Sequence, residues 1–226
     1  MQRKFIPVAV FFVALLLLLA HLGARITAVP TFTFAAEKSV YLTFDDGPST
    51  VVTERILDTL KEKNIKATFF VVGDRIKGRE DTLRRIAREG HTLGVHSQTH
   101  NYSQIYASDA ALLADVEACA ETVRRVTGIT SRVYRFPGGG GKNKERQTTL
   151  LRKQGYRVVG WNAVCGDEEI ANADADELYR TSVSTSAGKG RVVLLLHDSA
   201  THRATAEALP YIIEHFQEDG YTFCAF

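Results

Sequence analysis

The chain is 226 residues long, with 45% hydrophobic and 24% charged residues and a formal net charge of +2. This length accommodates one domain with a full hydrophobic core. A net charge so close to zero gives no basis for a nucleic-acid partner, and three widely spaced cysteines argue against a disulfide framework or a cysteine-based metal site.

The first 36 residues differ in composition from the rest of the chain. Arg3 and Lys4 precede a run from residue 5 to residue 24 that contains no Asp, Glu, Lys or Arg and is rich in Val, Ala and Leu. A basic start and an apolar segment are typical of export, and about 20 apolar residues also suffice for a membrane-spanning helix. We therefore expect an N-terminal hydrophobic helix within residues 1–36, acting as a signal peptide or as a membrane anchor with a short tether. Residues 37–226 would then form a domain outside the cytoplasmic membrane.

After this segment, the chain alternates between patterns typical of strands and patterns typical of helices. The predicted strands, rich in β-branched and aromatic residues, cover residues 40–44, 67–72, 91–95, 132–136, 156–161, 191–196 and 221–226. The predicted helices lie between them, at residues 51–63, 81–89, 108–127, 145–154, 176–186 and 203–218. Such alternation predicts a parallel sheet covered by helices. A barrel and an open doubly wound sheet both satisfy it.

The first predicted strand runs directly into two adjacent carboxylates, Asp45 and Asp46, followed by Gly47 and Pro48. The glycine and the proline end the strand, because proline has no N–H for the ladder and glycine permits a tight turn. Two neighbouring carboxylates repel each other, and a bound cation would hold both ionised. The alternative is a polar turn in which Asp46 bonds to the backbone that follows, since turns favour Asp.

Two histidines four positions apart, His96 and His100, follow another short apolar segment. On one turn of helix, residues i and i+4 share a face, so both imidazoles would reach one metal ion. With Asp46 they would make a three-ligand site that leaves positions open for water. A zinc protease carries a Glu directly after the first histidine, but Ser97 stands here, so the base must come from elsewhere and Asp45 is available. An exposed helix face is the alternative for this histidine pair.

The candidate site residues occupy one kind of position in the predicted fold. Each follows the carboxyl end of a predicted strand, which is where both barrels and doubly wound sheets place active sites. These residues are Asp45, Asp46, His96, Arg135, Asp167 and His197.

Five stretches, in this order, resemble the motifs of the polysaccharide deacetylase family, which is carbohydrate esterase family four. They are residues 43–47 (TFDDG), 96–100 (HSQTH), 135–139 (RFPGG), 161–167 (WNAVCGD) and 194–198 (LLLHD). The resemblance covers about residues 38–226, and in its third and fourth motifs it is similar to bacterial peptidoglycan N-acetylglucosamine deacetylases. It implies an α/β fold, a distorted (β/α) barrel of about seven parallel strands with outer helices, in which residues 37–226 are the catalytic domain.

The resemblance also implies roles for individual residues, carried over by position. Asp46, His96 and His100 resemble the ligands of a divalent metal, with zinc expected first and cobalt, manganese or nickel as alternatives, and no organic cofactor is expected. Asp45 resembles the general base that activates the attacking water, and His197 the general acid that protonates the leaving amine.

The remaining roles implied by the resemblance concern orientation and substrate binding. Arg135 is similar to the residue that orients Asp45, and Asp167 to the aspartate that supports this arginine. The backbone N–H of Gly138 stands where the family stabilises the oxyanion, and Trp161 and Leu195 stand where it builds the pocket for the acetyl methyl group. The sequence departs from the commonest pattern in having Gly138 in place of a tyrosine, and Val164 and Glu168 in place of an aspartate and an aromatic residue.

The implied function is metal-dependent hydrolysis of N-acetyl groups on amino sugars of a cell-wall glycan, with peptidoglycan expected first. Chitin oligosaccharides and acetylated xylan are alternative substrates. A ferrous oxygenase would also use two histidines and a carboxylate, but it has no need of a spare Asp45 or a distant His197. A non-catalytic sugar-binding relative would need neither of those two residues. The expected partners are therefore a glycan and, through the N-terminal segment, a membrane.

Overall fold

The computed structural model describes residues 37–140 and 144–226 of the chain. Its strands are β1 Ser39–Asp45, β2 Thr68–Val72, β3 Thr92–Ser97, β4 Val133–Tyr134, β5 Arg157–Val158, β6 Ala163–Val164, β7 Arg191–His197 and β8 Thr222–Cys224. Its helices are α1 Val52–Glu62, α2 Gly73–Ile76, α3 Glu80–Arg88, α4 Tyr102–Ile105, α5 Asp109–Thr127, α6 Glu145–Lys153, α7 Ala175–Ser186 and α8 Arg203–Glu218. The predicted hydrophobic helix at the N terminus lies outside the described residues.

All the strand pairs are parallel, and the strands follow the order β5-β4-β3-β2-β1-β7-β6. The two outermost strands, β5 and β6, are joined by residues 159–162 alone, so the edges they form lie within at most about 18 Å of each other. The sheet must therefore curl into an incompletely closed barrel. This confirms the predicted distorted barrel of parallel strands and excludes the open doubly wound sheet.

The predicted strand at residues 156–161 differs from the structure in an informative way. The chain pairs with β4 through β5, leaves that edge, and pairs with β7 through β6. One extended segment thus serves both edges of the curled sheet, which a pattern of apolar residues cannot reveal. The last strand, β8, lies beside the first half of β1, whereas β2 pairs with its second half. β1 and β2 therefore spread apart at the base of the barrel, where the strands begin, and β8 fills the space between them.

The alternation along β1 separates the core from the site. Val40, Leu42 and Phe44 are fully buried in the core cluster beneath the outer helices. Because successive side chains in a strand point to opposite faces, Thr43 and Asp45 point into the barrel. Burial of apolar surface under the helices stabilises the fold by about 25 cal/mol per Å² of buried area. This burial holds β1 in place, although its other face carries polar groups.

The helices have conventional boundaries where the sequence provides capping residues. Ser108 caps α5 by accepting a hydrogen bond from the N–H of Ala111, and Gly128 ends this helix with a φ of 77°. The short helices α2 and α4 were not predicted, because four residues show no periodicity. Within the described part of the chain, no helix is long and apolar enough to cross a membrane.

Candidate metal centre and active site

The residues predicted from strand ends meet at one mouth of the barrel. Asp45 and His197 are the last residues of β1 and β7 and lie at paired register positions, and His96 is the penultimate residue of β3. Arg135 directly follows β4. The parallel arrangement brings the carboxyl ends of all these strands to the same edge, as the sequence predicted.

Asp46, His96 and His100 place their ligand atoms within 4.8 Å of one another. Oδ1 of Asp46 lies 3.0 Å from Nε2 of His100 and 3.5 Å from Nε2 of His96. Ligand atoms of a tetrahedral zinc site, with bonds of about 2.0–2.1 Å, are separated by roughly 3.3–3.4 Å. The spacing of these three side chains therefore fits a shared metal ion.

The hydrogen bonds of the ligands support the same interpretation. Nδ1 of His96 lies 2.9 Å from the carbonyl oxygen of Arg135, so this nitrogen carries the proton and Nε2 keeps a lone pair that faces Asp46. Oδ1 of Asp46 is buried and accepts no hydrogen bond from any described residue. Lone pairs that converge on one buried point fit a cation.

The predicted helix carrying both histidines is wrong. His96 belongs to β3, whereas His100 follows it in a turn with a φ of 56°. A carboxylate on α5 holds this turn: Asp115 accepts hydrogen bonds from Ser97 Oγ at 2.7 Å and from the N–H groups of Gln98 and Thr99 at 3.0 and 3.2 Å. Asp115 therefore orients the histidine pair. Sequence reasoning missed it, because a single half-buried Asp within a long helix gives no signal in the sequence.

Asp45 lies beside the ligands but is held by a different group. Oδ1 of Asp45 accepts a hydrogen bond from Nη1 of Arg135 at 2.8 Å, and its Oδ2 lies 3.9 Å from Nε2 of His96. The Arg135 side chain is fully buried, and it also donates to Thr43 Oγ1 at 2.8 Å and to the Gly160 carbonyl at 3.0 Å. This buried guanidinium fixes one oxygen of Asp45 and leaves the other toward the candidate metal position.

Asp167 does not support Arg135, as the resemblance implied, but holds His197 instead. Its Oδ1 lies 2.8 Å from Nδ1 of His197, and its Oδ2 accepts from the His197 N–H and from Thr205 Oγ1, both at 2.8 Å. Burial alone would lower the pKa of His197, but the bond to Asp167 and its charge outweigh burial and raise this pKa to about 9. His197 is therefore protonated at neutral pH, with Nε2 directed away from Asp167.

The three residues predicted to bind substrate lie around this group. Leu195 is buried on β7 and shares a face of the strand with His197, two positions later. The half-buried Trp161 ring lies 5.5 Å from the Arg135 guanidinium and against Gly139. Gly138 has a φ of 70° and adjoins Tyr102. All three thus lie near the mouth of the barrel.

Two further residues, which the sequence analysis assigned no role, lie against His197. The ring of His202 stacks on that of His197 with centroids 5.1 Å apart, and its Nε2 lies 3.0 Å from Oε1 of Glu168. The Glu168 carboxylate is half exposed and has an oxygen within 4.8 Å of the ligating atoms of Asp46 and His197. This contact could not be predicted from the sequence, because Glu168 and His202 lie in different loops.

Comparison with known proteins agrees with this geometry. Residues 35–159 match the family described as polysaccharide deacetylase. A peptidoglycan-N-acetylglucosamine deacetylase of Bacillus cereus is 31% identical over 205 residues, which are 88% of this chain and 73% of that protein. YheN of Bacillus subtilis, named as a candidate polysaccharide deacetylase, is 34% identical over 193 residues, or 83% of this chain; the match spans slightly less than two thirds of its length, 66%.

A solved structure shows the same fold. The catalytic domain of a peptidoglycan N-acetylglucosamine deacetylase from Eubacterium rectale superposes with a TM-score of 0.76 at 30% identity. The superposition covers 85% of this chain and 93% of that domain. Because 85% of the chain is more than residues 35–159, the similarity extends beyond the segment matched by the family model.

Proposed function

This chain belongs to the polysaccharide deacetylase family, and from that premise we propose that it hydrolyses N-acetyl groups of amino sugars in a cell-wall glycan, with peptidoglycan as the substrate. The observation that supports this most is the arrangement around Asp46, His96 and His100. A carboxylate, Asp45, lies beside these ligands with Oδ2 3.9 Å from Nε2 of His96, and a protonated imidazole, His197, has a ring nitrogen within 4.8 Å of a carboxylate oxygen of Asp46. Amide hydrolysis needs one proton removed from the attacking water and one given to the leaving nitrogen, and a base and an acid beside the metal ligands supply these two transfers.

Asp46, His96 and His100 would hold the metal. Two imidazoles and one carboxylate suit zinc, and cobalt, manganese or nickel are the alternatives. When bound, such an ion supplies Lewis acidity, which polarises the acetyl carbonyl and lowers the pKa of a water molecule.

Asp45 takes a proton from the attacking water. Arg135, whose side chain is fully buried, keeps this carboxylate oriented through the bond to Oδ1. The free Oδ2 is then the proton acceptor. Because Arg135 is itself fixed by Thr43 and Gly160, the base cannot rotate away from the reacting water.

His197 gives a proton to the amide nitrogen as the bond to carbon breaks. An amine is a poor leaving group unless it is protonated, so the acid must be charged before the reaction. The buried Asp167 carboxylate provides that charge state and fixes Nδ1, which leaves Nε2 as the donor. The N–H of Gly138 stabilises the oxyanion, and Trp161 and Leu195 enclose the acetyl methyl group.

Peptidoglycan as substrate is supported by the names of the relatives and by the predicted export segment. Both the Bacillus cereus relative and the Eubacterium rectale domain are named peptidoglycan N-acetylglucosamine deacetylases. We infer that residues 1–36 direct the domain to the outer side of the cytoplasmic membrane, where the wall is found. Fractionation of cells that express the full-length protein tests this, and recovery in the cytoplasm contradicts it.

The experiment that tests the function compares the purified protein with its Asp45→Asn variant on N-acetylated glycan. Wild-type protein releases acetate, and the variant retains its metal but loses turnover by about 100-fold or more, as expected for a general base. Retention of near-normal turnover by Asp45→Asn would show that another group is the base. A wild-type protein that binds metal and glycan but releases no acetate would be a non-catalytic relative.

A further inference from the structure

We propose that Tyr106 and Lys144 are positioning residues that lock the peptide unit between Pro137 and Gly138, so that the Gly138 N–H points at the reacting acetyl group. This inference rests on the proposed function, since it concerns how the oxyanion donor is oriented. It assigns a role to two side chains that none of the five motifs contains.

Residues 136–139 form a tight turn. The N–H of Gly139 donates to the carbonyl of Phe136 at 2.9 Å, and Gly138 has a φ of 70°. A turn with Pro at its second position and a positive φ at its third is of type II. Its central peptide joins Pro137 to Gly138 and takes no part in the bond that closes the turn.

Nothing within the turn fixes the direction of this central peptide. Types I and II differ mainly in the orientation of that peptide, and a glycine at the third position adopts either sign of φ at little cost. A flipped peptide would turn the Gly138 N–H to the opposite face. An oxyanion donor at this position therefore needs an external constraint.

Two side chains from outside the turn provide that constraint. The Tyr106 hydroxyl donates to the Pro137 carbonyl at 2.7 Å, and Nζ of Lys144 donates to the same oxygen at 3.2 Å. The Lys144 ammonium lies 3.6 Å from the centre of the Tyr106 ring and 5.0 Å from that of Phe136. Burial lowers the pKa of Lys144 to about 8, which leaves it mostly charged at neutral pH.

These two hydrogen bonds form a clamp on the Pro137 carbonyl, and the planar peptide bond makes the direction of that carbonyl determine the direction of the Gly138 N–H. In a trans peptide the C=O and N–H bonds point in opposite directions, so a carbonyl held toward Tyr106 and Lys144 sends the Gly138 N–H away from them. Among the described residues, the N–H of Gly138 donates to no protein acceptor. Gly138 adjoins Tyr102, whose ring lies 5.4 Å from that of His100. The unpaired donor thus borders the candidate metal centre.

The test uses Tyr106→Phe, Lys144→Met and the double variant, each assayed for kcat and KM on N-acetylated glycan. We expect kcat to fall about 5-fold in each single variant and up to about 100-fold in the double variant, approaching the loss of one oxyanion donor. KM and metal content should stay unchanged. The affinity for a phosphonamidate that mimics the tetrahedral intermediate should fall in step with kcat/KM, which a merely structural role would not produce.

Two matched variants serve as controls, because each removes a similar bond far from the site. Tyr156→Phe deletes a hydroxyl that donates to Glu117 at 3.0 Å, and Lys66→Met deletes an ammonium that donates to the Glu89 carbonyl at 2.6 Å. Both should keep wild-type kcat. Unchanged kcat and analogue affinity in the Tyr106 and Lys144 variants, or a loss confined to KM, would overturn the proposal.

A crystal structure of the double variant separates the clamp from the proposed reaction. We expect the peptide between Pro137 and Gly138 to be flipped or mixed there and to have a single orientation in the wild type. If the wild type releases no acetate, the proposed function fails, and the peptide orientation still decides the clamp. An unflipped peptide in the double variant would show that Tyr106 and Lys144 do not set it.

Discussion

Replacement of Asp167 by Asn tests how His197 is kept protonated. The substitution retains the size of the side chain and an acceptor for Nδ1, but removes the buried negative charge. Burial lowers the pKa of His197, and Asp167 raises it to about 9 against that effect. Without the charge, this pKa should fall to the ordinary value of 6.5 or below.

The consequence for activity depends on pH, and its sign follows from the role of His197. A general acid works in its protonated form, so activity is lost as pH rises through its pKa. At pH 8, a shift from about 9 to about 6.5 reduces the protonated fraction from about 90% to about 3%, or roughly 30-fold. At pH 6 the same shift reduces the protonated fraction by less than about 2-fold. The variant should therefore have nearly wild-type activity at pH 6 and roughly 30-fold lower activity at pH 8.

The assay is acetate release measured between pH 5 and 10 at saturating metal. The alkaline limb of the wild type should lie near pH 9, and that of Asp167→Asn at least about two pH units lower. Thr205→Val is the matched control, because it removes one bond to Asp167 without removing the charge. Its alkaline limb should stay close to that of the wild type. An Asp167→Asn profile that is lowered equally at every pH, with its limb still near 9, would refute the reasoning.

Three further substitutions probe the metal loop and its support. His100→Ala removes one of three ligands, so bound zinc, measured by elemental analysis after gel filtration, should fall well below one equivalent. Asp115→Asn weakens the hold on the histidine turn, and metal affinity should drop by about 10–100-fold while the ligands remain. Gly47→Ala places a Cβ 2.2 Å from Oδ2 of the buried Asp198, so the loop must shift; the unfolding midpoint should fall, with a cost of about 1–3 kcal/mol in the free energy of unfolding.

Each of these results has an outcome that contradicts it. Stoichiometric zinc in His100→Ala would remove that residue from the ligand set. Unchanged metal affinity in Asp115→Asn would mean that the turn keeps its shape without the carboxylate. For Gly47→Ala, a matched change at Gly190 controls for the backbone cost of replacing a glycine, because Gly190, like Gly47, has no positive φ but has open space around it. An unchanged midpoint in Gly47→Ala would contradict the predicted clash.

The alternation of strand and helix patterns made the parallel sheet and its active edge predictable. Apolar runs that end in Asp45, His96 and His197 predict both a strand and a site residue, because residues at the carboxyl ends of parallel strands lie at the same edge of the sheet. The resemblance supplied the barrel in place of the open sheet. The division of one segment into β5 and β6 was not predictable, since pairing partners on opposite edges leave no trace in local composition.

Contacts between distant segments account for the errors within the site. The i, i+4 spacing of His96 and His100 predicted a helix, but the hydrogen bonds from Asp115 stabilise a turn instead. Asp167 was expected near Arg135, yet β6 pairs with β7 and so delivers this carboxylate to His197. Three-dimensional proximity, and not spacing along the chain, decides which partner a buried charge finds.

The central claim is that this site cleaves the amide bond of an N-acetylated sugar. The direct measurement is to incubate the purified protein with peptidoglycan, chitohexaose and acetylated xylan, and to quantify acetate and free hexosamine amine in each. The account predicts acetate and new amine in equal amounts from peptidoglycan, and neither product from protein depleted of metal. Acetate from acetylated xylan alone, with no new amine from either N-acetylated glycan, would contradict it and identify an esterase.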